Sequence, residues 1–246
     1  MKKTVLSMLI FIAAALHAAE MGKFDPDSKN WKVGGDHFSC TFFQGCLYPA
    51  WFRSPAGAEF PFFVFDDVFT VDGETYLLRE ERWAEHKIVK NTADQFVIEC
   101  TGNFCTGKPP QNTPCKEILT TYRYTLRKDS PVMKIEILME KEKTVPVNLS
   151  LMRLRWRFLP FSEMKQADGT RYNLRQRPAG YDCGRIVLLH PAMNLAPGFS
   201  KTRVSWLNRE NGFLYVTDRD ADVAWQANQK TFRHSTQISF EKEDGK

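Results

Sequence analysis

The sequence is poor in long apolar runs, and its one clear example lies at the start of the chain. Val5 to Leu16 is mostly apolar and follows two lysines, but about a dozen residues are too few to span a bilayer. Small residues at Ala18 and Ala19 offer a cleavage site, so residues 1–19 are predicted to be a secretory signal peptide, with an uncleaved anchor as the competing interpretation. We therefore expect a secreted or periplasmic protein with no membrane span.

The sequence also lacks an excess of one charge and lacks metal-ligand spacing. The formal net charge of +5 falls to +3 when Lys2 and Lys3 are removed, and so small a balance does not indicate nucleic acid as a partner. There is no CxxC pair, and no histidine lies at zinc-ligand spacing from a cysteine. No metal and no cofactor are predicted.

Cysteine is present in an even number, which in an exported chain is typical of disulfides. The six cysteines are Cys40, Cys46, Cys100, Cys105, Cys115 and Cys183. A bond between Cys105 and Cys115 would close a Pro-rich loop, and a bond between Cys40 and Cys46 would close a tight turn. The spacing alone leaves other pairings open.

Helical periodicity is almost absent, and alternation of apolar and polar residues takes its place. The clearest example is the segment EILTTYRYTLRKDSPVMKIEILME, in which Tyr122 and Tyr124 precede a turn at 128–131 and Ile135 follows it. Such alternation predicts strands with one buried face, and Asp-Ser-Pro predicts the turn of a hairpin. We predict an all-β fold, a large antiparallel β-sandwich with little helix, as a single domain over residues 20–246.

Three features in one order resemble a known fold. A Pro-Ala-Gly turn at residues 55–57 is followed by the hairpin sequence Val71-Asp72-Gly73-Glu74 and then by the run YRYTLRKDSPVMKIEI. This order resembles the galactose-mutarotase-like β-supersandwich of carbohydrate-active proteins, closest in style to exo-rhamnogalacturonan-lyase-type modules. The resemblance implies a protein that binds or processes a glycan. The Asn-His-Thr-type segment of aldose epimerases is absent, which argues against mutarotase activity.

Positive charge is concentrated in one stretch, where residues 153–185 contain eight cations and three carboxylates. Arg153, Arg155 and Arg157 fall on one face of a strand predicted over residues 145–159, and guanidinium groups bind carboxylates through paired hydrogen bonds. We predict that these three and Arg175 bind an acidic, uronate-containing polysaccharide. The competing interpretation is an exposed outer face whose arginines pair with local acids.

Tyr181 and His190 are the predicted catalytic pair. Once arginine neutralises a uronate carboxylate, an acid and a base at these positions would cleave the glycan by β-elimination. Trp83, in a polar segment, is the predicted stacking platform for a sugar ring. Trp156 alternates with the arginines and is assigned to the core.

Together these patterns predict a secreted carbohydrate-active β-sandwich protein that binds or cleaves an acidic polysaccharide, and that is lyase-like if it is catalytic. The alternative is a non-catalytic carbohydrate-binding module or a structural β-sandwich of the cell envelope. The residues do not decide whether the chain is an enzyme.

Overall fold

A computed structural model describes residues 20–59, 63–78, 83–107, 113–157, 161, 163–174, 180–191, 193–207 and 213–241. The predicted signal peptide lies outside these residues. No α-helix occurs within the described ranges, and strands dominate them. None of the described residues belongs to a helix that is long and apolar enough to cross a membrane.

The described strands, in chain order, are β1 (Gly22–Asp25), β2 (Asn30–Gly34), β3 (Ser39–Phe42), β4 (Pro49–Arg53), β5 (Phe63–Phe65), β6 (Val68–Val71), β7 (Glu74–Leu77), β8 (Glu85–Asn91), β9 (Gln95–Gly102), β10 (Cys105–Thr106), β11 (Thr113–Pro114), β12 (Ile118–Arg127), β13 (Val132–Lys141), β14 (Val147–Ser150), β15 (Arg153–Arg157), β16 (Glu163–Gln166), β17 (Arg171–Asn173), β18 (Gly180–Cys183), β19 (Ile186–Leu189), β20 (Asn194–Pro197), β21 (Thr202–Leu207), β22 (Phe213–Asp218), β23 (Asp222–Trp225) and β24 (Thr231–Glu241). A 3-10 turn at Arg219–Ala221 joins β22 to β23.

These strands form four antiparallel sheets. The largest has the order β17-β16-β19-β20-β24-β13-β12-β9-β8, and a six-stranded sheet has the order β11-β10-β7-β6-β14-β23. A five-stranded sheet, β18-β21-β22-β15-β5, and a four-stranded sheet, β1-β2-β3-β4, complete the described architecture. The predicted all-β antiparallel sandwich is confirmed, and its extent as a single domain stays a prediction.

The predicted central hairpin is present as β12 and β13, in the middle of the largest sheet. Tyr122 pairs with Ile137 and Tyr124 pairs with Ile135, and all four side chains are buried. The opposite face carries the alternating polar residues, such as Arg123. Alternation therefore fixed the inner face of this hairpin, as expected for a sheet with one buried face.

The long strand predicted over residues 145–159 is wrong, because the chain changes sheets inside it. β14 belongs to the six-stranded sheet and β15 to the five-stranded sheet. Met152, between them, has a left-handed backbone with φ of 53°. Leu149 and Leu151, which one continuous strand would place on the same face as the arginines, are buried. A turn of the backbone between two strands resets which side chains point inward.

A buried carboxylate ties the start of β15 to the largest sheet. The Tyr122 hydroxyl donates to Asp67 Oδ2 at 2.5 Å, and the Arg153 backbone N–H donates to Asp67 Oδ1 at 2.8 Å. Burial raises the pKa of Asp67 to about 6, although both hydrogen bonds favour its charged form.

Candidate functional site

One large aromatic side chain on β4 points into solvent. Trp51 is 54% exposed, while its neighbours Ala50 and Phe52 are buried. The pairing of β3 with β4 shifts here, since Ser39 pairs with Arg53 but Thr41 pairs with Ala50, which places an extra residue in β4. Trp51 has φ of 52°, a left-handed conformation that is an outlier for a bulky residue. The bulge thus turns the indole outward, as bulges near functional sites often do.

A cleft of about 540 Å³ borders the Trp51 ring. Asp27, Asn30 and Gln44 supply polar groups to its lining, and Phe43 packs edge-on against Trp51 with ring centroids 4.8 Å apart. The Asn30 side-chain oxygen accepts the Gln44 backbone N–H at 3.0 Å, which holds the two sides of the lining together. An aromatic plate next to amide and carboxylate groups suits a ligand with one apolar face and several hydroxyls.

A second cleft, of about 720 Å³, also borders Trp51, and its lining is cationic. Four cations and one carboxylate line it: Lys23, Lys32, Arg53, Lys128 and Glu20. Asp25 accepts from Lys32 at 2.8 Å, and this hydrogen bond holds the pKa of Asp25 well below its usual range. Arg53 pairs with Glu59 at 3.0 Å. Lys23 and Lys128 have no carboxylate partner within the described ranges, so their charge is available to an anionic ligand.

Trp83, the predicted platform, is exposed, and the residue that follows it contacts the loop that borders the first cleft. Its side chain is 57% exposed, whereas Trp156 is fully buried, as its assignment to the core predicted. The residue after Trp83 is Ala84, whose backbone N–H donates to the carbonyl of Gly45 at 3.0 Å. Gly45 follows Gln44, a lining residue of the first cleft. The Trp51 ring, through Phe43, and the backbone beside Trp83, through Gly45, therefore contact the same loop, residues 43–46.

The predicted arginine row is held by its own neighbours. Arg155 is 3.2 Å and Arg153 is 3.9 Å from the Asp66 carboxylate. The Arg153 guanidinium lies over the Tyr215 ring and the Arg155 guanidinium over the Phe213 ring, at 5.2 and 5.3 Å from the centroids. This arrangement matches the competing interpretation of arginines that pair with local acids. The role of these arginines as a polysaccharide grip stays a prediction.

The structure does not describe the side chains of the other two arginines of the predicted set. Arg157 is the last residue of β15, and its side chain is not among those described. Arg175 lies outside the described residues.

Tyr181 and His190 lie on different sheets. Tyr181 is on β18, and its hydroxyl donates to the Met164 sulfur at 3.0 Å. His190 follows β19 of the largest sheet, its ring lies 6.0 Å from the Phe161 ring, and its backbone N–H donates to Asn194. Desolvation lowers the pKa of His190, so its imidazole is neutral at pH 7 and is able to accept a proton. The catalytic role of the pair stays a prediction.

The six cysteines all lie in the described residues, and none is joined to another by a disulfide in this structure. Cys40 lines the second cleft and Cys46 lines the first. Cys105 lies on β10, where it pairs with Pro114, and the Cys115 N–H donates to the carbonyl of Phe104. The two pairings predicted from the sequence are therefore not shown.

Comparison with known proteins finds no matching family model and no matching curated protein. Several solved structures do match. The α-galactosidase AgaB of glycoside hydrolase family 36 from Geobacillus stearothermophilus is 11% identical, with a TM-score of 0.58 over 90% of this chain and 41% of the enzyme. An α-mannosidase from Enterococcus faecalis V583 is 10% identical, with a TM-score of 0.57 over 89% of this chain and 30% of the enzyme.

At identities this low, the structural similarity shows a shared fold alone. A protein of glycosyl hydrolase family 38 from Enterococcus faecalis matches in the same way, at 9% identity and a TM-score of 0.57. The chain thus has the β-sandwich fold found in glycoside hydrolases of families 36 and 38, and it spans less than half the length of these proteins. None of the three is a rhamnogalacturonan lyase, so the finer resemblance to lyase modules is not shown.

Trp51 is the residue that sequence reasoning undervalued. The sequence favours Trp83 over Trp51 as an exposed platform because the segment around Trp83 is polar. Alternation does not single out Trp51, because Pro49 is buried together with Tyr48 and Ala50, and the bulge that exposes the indole becomes visible only in the shifted pairing of β3 with β4.

Proposed function

We propose that this chain is a carbohydrate-active β-sandwich protein that binds an oligosaccharide against Trp51. The observation that carries the proposal is an exposed indole, held out by a strained bulge, that forms a wall of two polar clefts. The C–H face of a sugar ring stacks on such a plate, while its hydroxyls reach hydrogen-bonding groups at the edge. The shared fold with glycosidases supports this class of ligand.

We further propose that the oligosaccharide is acidic and contains uronate. The support for this comes from the second cleft, where Lys23 and Lys128 add positive charge beside Trp51. Arg153 and Arg155, by contrast, already share Asp66 and stack on aromatic rings. A carboxylate on a stacked sugar would therefore meet Lys23 of β1 and Lys128, which follows β12.

Cleavage of an acidic glycan by β-elimination is the second candidate function, and the neutral imidazole of His190, which lies beside the Phe161 ring, favours it. It would take place away from Trp51, because Tyr181 and His190 are not among the residues that line the two Trp51 clefts. His190 would remove a proton next to the uronate carboxylate, and Tyr181 would protonate the leaving oxygen. A non-catalytic binding module would bind the same glycans and release no unsaturated product.

Binding is tested with the full chain and two series of oligosaccharides, one uronate-containing and one neutral, by titration calorimetry. Trp51→Ala should lower the affinity by about tenfold or more, because the indole would become buried under the bound sugar, and truncation of such an aromatic side chain is costly. Trp83→Ala should have a smaller effect. Leu119→Ala, which removes an exposed apolar side chain from β12, should have none. Absence of binding to both series, or unchanged affinity in Trp51→Ala, would refute the proposal.

The preference for acidic oligosaccharides is tested separately, with lysine variants of the second cleft. Lys23→Gln and Lys128→Gln should weaken binding of uronate oligosaccharides and leave neutral ones unaffected, and added salt should act in the same direction. Lys90→Gln, whose ammonium contacts Gln95 on β9, is the matched control. Equal affinity for neutral and uronate oligosaccharides would reject the acidic specificity alone. Ultraviolet absorbance of an unsaturated product, lost in Tyr181→Phe and His190→Ala, is the outcome that elimination requires.

A further inference from the structure

The loop that borders the first cleft is held against the largest sheet by two side chains. The His86 ring nitrogen Nε2 donates to the carbonyl of Cys46 at 2.7 Å. The Tyr124 hydroxyl donates to the carbonyl of Leu47 at 2.9 Å. The backbone from Cys46 to Leu47 therefore crosses the inner face of the sheet between β8 and β12.

Cys100 lies in the sheet between those two donors. On β9 it is directly opposite His86 of β8 and directly opposite Tyr122 of β12, so Tyr124 is its diagonal neighbour. Directly opposite residues of antiparallel strands project to the same face. The side chains of His86, Cys100 and Tyr124 thus rise together beneath the Cys46–Leu47 backbone.

A second contact brings the same segments together. Gly45 and Ala84 form an antiparallel bridge, and Ala84 leads into β8. A Cβ built on Gly102, two residues beyond Cys100, would lie 3.5 Å from the Leu47 side chain. Cys46 and Cys100 also influence each other electrostatically, since Cys46 contributes to the raised pKa of the buried Cys100 thiol, after desolvation.

We propose that Cys46 and Cys100 form a disulfide that fixes the rim of the first cleft to the largest sheet. Cys46 lines the cleft and is half-buried, so an oxidant can reach it, whereas Cys100 is fully buried beneath it. The pairing differs from the local pair Cys40–Cys46 that spacing suggests, because Cys40 lies on β3 and lines the other cleft. The proposal does not rest on glycan binding.

The reaction is thiol–disulfide exchange with an oxidised dithiol oxidoreductase or glutathione disulfide, as found in the oxidising compartments to which a signal peptide leads. The Cys46 thiolate attacks one sulfur of the oxidant and releases its other sulfur as a thiolate. The Cys100 thiolate then attacks the Cys46 sulfur of this mixed disulfide. One S–S bond forms in the protein, two protons leave its thiols, and the oxidant's disulfide is reduced to two thiols.

The test is disulfide mapping of the full chain after incubation with oxidised and reduced glutathione, followed by alkylation and chymotryptic digestion. Cleavage after Phe42 or Phe43 separates Cys40 from Cys46, and cleavage after Phe104 separates Cys100 from Cys105. The expected result is one linked pair of peptides, which contain Cys46 and Cys100, and its loss on reduction.

Variants connect the bond to stability. Cys46→Ser and Cys100→Ser should each abolish the linked pair, while Cys183→Ser on β18 should retain it. Reduction should lower the Tm of the wild type and of Cys183→Ser by about 10 °C, with little effect on Cys46→Ser. A bond between Cys46 and any other cysteine, or alkylation of Cys46 in the oxidised folded protein, would overturn the proposal.

Discussion

The left-handed backbone at Trp51 makes a specific prediction about two replacements, Trp51→Gly and Trp51→Ala. Both remove the indole and its edge-on contact with Phe43, so that loss is common to them. Alanine keeps a Cβ, which costs about 1–2 kcal/mol in a left-handed conformation such as the φ of 52° found here. Glycine avoids that cost but loses about 0.5–1 kcal/mol more conformational entropy on folding. Trp51→Gly should therefore be the more stable variant by about 0.7 kcal/mol.

That difference corresponds to a Tm about 2 °C higher for Trp51→Gly than for Trp51→Ala in a chain of this size. The measurement is thermal unfolding followed by circular dichroism, with urea unfolding as a second method. The control is the same pair of replacements at Leu119, an exposed strand position without positive φ, where alanine should be the more stable. If alanine is also the more stable residue at position 51, the backbone there is ordinary and the indole is not held out by strain. Both position 51 variants should lose oligosaccharide binding equally.

Two further predictions concern buried charges. Because the pKa of Asp67 is raised from 3.8 to about 6 in the folded protein, its contribution to stability is complete below pH 4 and is lost as the pH rises through 6. At about 1.4 kcal/mol per pKa unit the loss is about 3 kcal/mol, and Asp67→Asn should remove this part of the pH dependence in urea unfolding from pH 4 to 8. The Lys141 ammonium donates to the carbonyls of Val145 and Gln226 at 2.5 and 2.7 Å and lies 4.5 Å from the Trp225 ring centroid. Lys141→Met keeps the apolar stem but leaves both carbonyls without this donor, so its unfolding free energy should fall by about 2–3 kcal/mol, and an unchanged value would show that water replaces the ammonium.

The sequence was sufficient for the class of fold and for its central hairpin. In β12 and β13 the alternation of large apolar residues with polar ones is nearly unbroken, so burial and register follow from the same pattern. The turn at Asp129 and Ser130 could be predicted because these side chains form hydrogen bonds with the nearby backbone. These are short-range properties, and the sequence contains them in full.

The contacts of the arginine row could not be predicted from the sequence. Alternation correctly placed Arg153 and Arg155 on one face of a strand, with Trp156 on the other. It did not indicate what that face would meet. Asp66, Tyr215 and Phe213 reach the two guanidinium groups through strand pairings that are remote in sequence. The same limit hid the change of sheet at Met152, since a run of alternating residues does not record which strands will pair with it.

Strain at Trp51 persists because the residues on either side of it are anchored. Ala50 and Phe52 are buried, and the Phe52 ring stacks on Phe240 at 4.9 Å, so the bulge has little freedom to relax. Positive φ at a bulky residue typically costs about 1–3 kcal/mol. A glycine would satisfy the same bulge at lower cost and would leave the core contacts of its neighbours intact. Folding alone therefore does not account for a tryptophan at this position. The ligand proposed to stack on the indole would account for it, and the comparison of Trp51→Gly with Trp51→Ala measures the strain on which this argument depends.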